Sequence, residues 1–162
     1  MRMTAASEYG CLALLAIGQR APEFCKTHDI VERFDIPAPF LHQILRKLIA
    51  AGFVVSRRGA DGGFRLGKPP GEIRIADVVR AMDGALAPTR SVSPNFYQPS
   101  PVEASLAFTR LFRQVRDAIA TILEATTLED ILDHEHALAR NQQRRRNGAG
   151  ARLGARAAAR RR

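Results

Sequence analysis

The 162 residues are 46% hydrophobic, enough for one compact domain with appendages that buries its core without covalent staples. Two cysteines, Cys11 and Cys25, exclude a disulfide framework and fit a reducing cytoplasm. The formal charge of +9 is uneven: from residue 134 onward nine arginines face one acid, Glu135, a formal +8 that leaves +1 for residues 1–133.

Thr4 caps a first helix running to about residue 19, with Tyr9, Leu12, Ala16 and Ile17 at helical spacing. Glu8 and Arg20 make this stretch too polar for a membrane span or signal peptide, so a soluble protein is expected. Thr27 is the expected N-cap of a short second helix ending near residue 35, with Ile30, Val31 and Phe34 on its apolar face. Ile36-Pro37-Ala38-Pro39 forms the turn, and Pro39 suits the first position of a third helix reaching about residue 51. In that helix Phe40, Leu41, Ile44, Leu45, Leu48 and Ile49 make one stripe, while His42, Gln43, Arg46 and Lys47 face away.

Residues 53–56 and 64–66 read as two short strands joined by the glycine-rich basic loop Arg57-Arg58-Gly59-Ala60-Asp61-Gly62-Gly63. Residues 75–83 form a fourth helix with Gly84 as C-cap, and 85–99, with three prolines, read as loop. Ser100-Pro101-Val102-Glu103 combines a cap, a first-turn proline and a capping-box acid, predicting that a long helix starts there and runs to about 125. Its stripe of Val102, Leu106, Phe108, Leu111, Phe112, Val115, Ile119, Ile122 and Leu123 exceeds the needs of so small a core, which implies a partner helix. A short last helix begins at Thr127. From 134 onward alanine, glycine and arginine dominate without apolar period, so the tail is expected to be disordered.

The fold expectation is therefore mainly α with a small β-hairpin wing, a winged helix-turn-helix, plus a long C-terminal dimerisation helix. Residues 1–84 form the DNA-binding unit, 85–99 a loop, 100–133 the dimerisation segment and 134–162 the basic tail. Residues 1–70 hold ten Lys/Arg against six acids, so the body's positive excess sits with the elements expected to read DNA. Arg57, Arg58 and Arg65 in the wing suit phosphate contact or a narrow minor groove. The competing reading, an interaction module that uses the same fold to bind a protein partner, gives no reason to gather those three arginines.

The run from Ile36 through the third helix to the wing Arg58-Gly59-Ala60-Asp61-Gly62-Gly63-Phe64-Arg65-Leu66 resembles the Rrf2 family, the IscR, NsrR and CymR type of bacterial regulators. So do the start Met1-Arg2-Met3-Thr4 with Tyr9, the segment 73–84, and Thr127-Leu128; the resemblance covers about residues 1–133. It implies a homodimer paired through the long helix by Leu106, Leu111, Phe112, Val115, Ile119 and Ile122, bound to a palindromic double-stranded DNA operator, usually as a repressor. The implied DNA-contacting positions are Ala38, Pro39, His42, Gln43, Arg46 and Lys47 on the helix and Arg57, Arg58, Gly59 and Arg65 on the wing. Iron-sulfur members place cysteines in the segment matching 85–110; this chain has none there, so no cofactor is expected. Ala38 and Pro39 also stand where a helix-capping hydroxyl is usual, which alters base reading at that end.

Other patterns carry less. Gly62-Gly63-Phe64-Arg65-Leu66-Gly67-Lys68 has phosphate-loop spacing, but Pro69 replaces the hydroxyl residue, and His134 and His136 do not share a helical face for a metal. Cys11 reads as a small buried hydrophobe; Cys25, in a loop beside Lys26, is the better candidate for redox sensing. No catalytic constellation is visible, so an enzyme is not expected, and a small-molecule effector or a protein partner is left as the source of control.

Overall fold

The computed structural model describes residues 3–59 and 61–159, with side-chain surroundings as far as residue 143. Met1, Arg2, Ala60 and Arg160–Arg162 lie outside the described residues, as do the side chains of the tail arginines from Arg144 onward. The order is α1 (Ala5–Gln19), α2 (Thr27–Phe34), α3 (Ala38–Ala50), β1 (Val54–Arg57), β2 (Gly63–Leu66), α4 (Ile75–Asp83), α5 (Leu106–Ala125) and α6 (Leu128–Ala159). It is the winged helix-turn-helix that the hydrophobic periods predict. Among the described residues no helix is long and apolar enough to cross a membrane.

The core forms because α1 is apolar around most of its circumference: Ala13, Leu14, Leu15, Ala16 and Ile17 are all buried. Against them pack Ile30 of α2, Leu41, Ile44, Leu45 and Leu48 of α3, Val78 and Met82 of α4 and Leu128 and Leu132 of α6. Two glycines let α1 approach its neighbours closely, Gly10 beside Met82 and Gly18 beside Leu132. A smaller cluster of Ala76, Val79 and Leu86, joined by Leu123, fastens α5 to α4.

Several boundaries differ from the sequence reading. α2 is capped at Lys26 rather than Thr27, because the Asp29 carboxylate reaches back to accept the Lys26 amide at 3.1 Å. Ser100-Pro101-Val102-Glu103 does not open the long helix. The capping box closes on itself, Glu103 accepting the Ser100 amide at 3.0 Å, and makes a separate 3-10 turn over Pro101–Ala104. α5 then starts one residue later from a second cap, Ser105, whose hydroxyl accepts the Phe108 amide, so Val102 lies outside the helix. The expected loop contains a 3-10 turn, Arg90–Val92. α6 is not a short helix before a disordered tail: helix continues to Ala159, the alanines, arginines and glutamines being good helix formers even without an apolar stripe. Ile49, placed in the α3 stripe, is 36% exposed at the helix's far edge, and Phe40 is half-buried edge-on to Tyr9.

The two long C-terminal helices are moored to the body. The Ile75 amide donates to the Thr126 carbonyl at 2.9 Å and the Leu128 amide to the Ile73 carbonyl at 2.8 Å, so the α5–α6 junction is stitched to the entry of α4.

Candidate nucleic-acid interface

Helix α3 has its apolar side locked into the core, and this fixes what it offers to solvent. Leu41, Ile44, Leu45 and Leu48 are at most 1% exposed, while His42, Gln43, Arg46 and Lys47 are exposed in the alternating pairs that a 3.6-residue period dictates. Ala38 and Pro39 are exposed in its first turn, where no side chain caps the free amides. Lys47 is not free: its ammonium donates to the Met82 carbonyl at 3.1 Å. Arg46 makes no ion pair among the described residues.

The wing is an antiparallel hairpin in the register Val54 with Leu66 through Arg57 with Gly63. A third short segment braces it. Cys25 and Phe64 exchange both backbone hydrogen bonds at 2.8 Å, so the turn before α2 acts as an extra strand against β2. The Gly62-Gly63 pair follows from this geometry. A Cβ on Gly62 would lie 2.1 Å from the Arg57 carbonyl oxygen; one on Gly63, where φ is +149°, would lie 2.6 Å from the Cys25 carbonyl oxygen.

Phe24 is the residue that sequence reasoning missed. Its ring carries the Arg57 guanidinium at 4.3 Å and the Arg65 guanidinium at 5.4 Å, and Arg57 also donates to the Asp61 carbonyl at 2.5 Å. An aromatic residue in a turn gives no periodic signal; only the fold brings it under the wing. Arg58 and Gly59 project at the exposed tip. The structure thus brings the exposed basic residues of α3 and of the wing onto consecutive elements around one core, with Arg57 and Arg65 held by Phe24 and Arg58 unpaired in the salt-bridge network of the described residues.

The predicted pairing residues lie on α5, which has no buried residue: Leu106 is 86% exposed and Ile122 66%, Leu111 and Val115 are also exposed, and Phe112 and Ile119 are half-buried. Cys25 is buried against α1 and α2 rather than presented to solvent, and burial followed by Asp29 raises its thiol above the ordinary value despite Arg20 and Arg33. Burial and Asp83 push Cys11 up to about 11. Neither environment stabilises a thiolate.

Iron is the metal to test against this chemistry. Among the described residues no three His, Cys, Asp or Glu side chains gather as a metal site, and residues 85–110 supply no thiolate. The donor set does not suit an iron-sulfur cluster.

A family profile described as Rrf2, iron-dependent transcriptional regulator, matches residues 3–134. A protein of Mycobacterium tuberculosis strain H37Rv named as an HTH-type transcriptional regulator is 36% identical over 158 residues, covering 92% of this chain and 97% of the relative. An rrf2-like HTH-type regulator of Rhodobacter capsulatus is 34% identical, covering 80% and 91%. Among solved structures, CymR of Bacillus subtilis, titled a global cysteine regulator, superposes with TM-score 0.67 at 25% identity over 83% of this chain and 98% of that one. IscR of T. potens superposes with TM-score 0.65 at 25% identity, over 83% of this chain and 88% of that one.

Proposed function

The chain belongs to the Rrf2 family of winged helix-turn-helix transcription regulators, and we propose that it works as a homodimeric repressor on a palindromic promoter operator without an iron-sulfur cluster. DNA binding by transcription regulators of this family is the established frame; the dimer, the operator and the cluster-free mode are the proposal. The observation that carries it is the division of α3 into a buried apolar side and an exposed side bearing His42, Gln43 and Arg46, next to a wing in which Arg57 and Arg65 are stacked on Phe24. The exposed apolar side chains of α5 supply the surface a second copy would cover.

In this reading α3 enters the major groove, Gln43 and Arg46 read base edges, Ala38, Pro39 and His42 line the approach, and Arg57, Arg58, Gly59 and Arg65 follow the neighbouring backbone or minor groove. The protein works in the cytoplasm, where its DNA lies. An electrophoretic shift with the DNA upstream of its own gene tests the proposal. A discrete complex that survives excess random duplex is expected, and binding indifferent to sequence would overturn it. Anaerobic reconstitution with iron and sulfide should leave the protein colourless, whereas about two bound irons per cluster would contradict the cluster-free mode.

A further inference from the structure

The segment between α4 and α5 is more built than a connecting loop requires. Ser91 and Ser93 are each 5% exposed. A chain of hydroxyls, Thr89 to Ser91 at 2.8 Å and Ser100 to Ser91 at 2.9 Å, holds its two limbs together. Ser93 accepts the Phe96 amide at 3.1 Å, Arg90 donates to Gln98 at 3.0 Å, and Arg116 of α5 donates to the Val92 carbonyl at 2.6 Å. These bonds hold open a cleft of about 340 Å³ against α5. That volume falls within the range, about 300–1,000 Å³, typical of small-molecule sites.

The lining states what the cleft would take. Val92, Pro94 and the Tyr97 ring supply apolar surface, Ser91 a buried hydroxyl, and Arg113 and Arg116 two guanidinium groups; no carboxylate lines it. The nearby acids are already engaged, Asp117 by Arg116 and Glu103 by Tyr97 and the Ser100 amide. Arg113 makes no ion pair among the described residues. A free, planar, two-pronged cation beside apolar walls matches a carboxylate or phosphate carried on an apolar body.

We propose that the cleft between the α4–α5 connection and α5 is a binding site for a small organic anion, with Arg113 taking its charged group and Val92, Pro94 and Tyr97 its apolar body, while Arg116, engaged by Asp117 and the Val92 carbonyl, holds the wall in place. The site goes beyond the DNA-binding reading and is measured without DNA, so either can fail alone. The connection it occupies continues directly from α4, whose last turn holds Lys47 of the recognition helix.

Isothermal titration of the full chain with cyclohexanecarboxylate and with cyclohexyl phosphate tests it, the two arms separating carboxylate from phosphate. Cyclohexanol and inorganic phosphate supply the body without the charge and the charge without the body. Saturable binding of at least one acid, at one per chain, is expected. Arg113→Gln should weaken it about ten- to a hundredfold, the usual worth of a hydrogen bond to a charged group. Arg110→Gln, one turn away and outside the lining, should leave it unchanged. The chain has two tyrosines and no tryptophan, so in Tyr9→Phe the emission of Tyr97 alone should follow the same saturation curve. Absence of saturable binding by either acid, equal affinity for cyclohexanol or inorganic phosphate, unaltered affinity in Arg113→Gln, or equal loss in Arg110→Gln would each overturn the proposal.

Discussion

The Lys47 ammonium donates to the Met82 carbonyl across 3.1 Å, so a residue on the exposed face of α3 closes the last turn of α4. A cation at a helix C-terminus meets free carbonyls and the negative end of the helix dipole. Lys47→Met, which keeps the aliphatic stem, should lower stability by about 0.5–1 kcal/mol, read from urea denaturation. It should change the salt dependence of DNA binding less than Arg46→Met, because Lys47 is already occupied. An equal loss of salt slope in both variants would show that Lys47 leaves Met82 for phosphate.

Asp83 lies at the same junction. Burial opposes its charge, but the neighbouring Ser7 hydroxyl, the Thr4 hydroxyl and amide that donate to it and the nearby Lys47 outweigh this and hold the carboxyl below the usual carboxylate value. A value lowered by folding stabilises the native state above the unfolded value of about 4, and that contribution disappears as pH falls through the lower folded value. Asp83→Asn should therefore cost about 1 kcal/mol at neutral pH, allowing for partial exposure, and flatten the acid limb of the stability curve. A variant that differs from the parent equally at pH 7 and pH 2 would contradict the assignment.

Specificity should divide between helix and wing. Gln43→Ala or Arg46→Ala should cost about 1–3 kcal/mol on the operator and relax preference at one symmetric base pair. Arg58→Ala should weaken operator and random duplex more evenly, since a wing arginine senses groove width and potential. Competition against single-base operator variants measures both, and base preference lost only in Arg58→Ala would reverse the roles.

Phe24 gives a sharper case. Phe24→Leu keeps the turn apolar but removes the ring under Arg57 and Arg65. It should reduce DNA affinity by about 0.5–2 kcal/mol, the range of a cation–π contact, with the melting temperature moving little. Phe24→Tyr should restore affinity. Tight binding by the leucine variant would mean the arginines need no platform.

The fold was legible wherever burial imposes a period: α1, α3 and α4 lie within a residue or two of their expected bounds because one face of each is excluded from water. The exposed row of α3 was readable for the same reason, being the complement of the buried row. What escaped was set by contacts between distant segments. Cys25 looked like an accessible loop thiol, but its backbone joins Phe64 and its side chain is buried toward α1 and α2. Ser100 to Glu103 carries every local sign of a helix start, and no local rule says that its capping box will close a single turn before Ser105 begins again. The length of α6 escaped because composition without periodicity does not separate an exposed helix from an unfolded tail.

The stitches at Ile73, Ile75, Thr126 and Leu128 make α5 a handle clamped at its far end to the domain that carries α3. At its middle Arg116 grips the Val92 carbonyl. In a dimer paired through α5 the two recognition helices would then sit at a separation set by protein geometry, with no slack chain between them. Such a caliper reads distance as strictly as bases. Inserting half a helical turn of DNA, about 5 bp, between the half-sites should abolish binding, and a full turn should not restore it, unlike a regulator whose reading heads hang on flexible tethers.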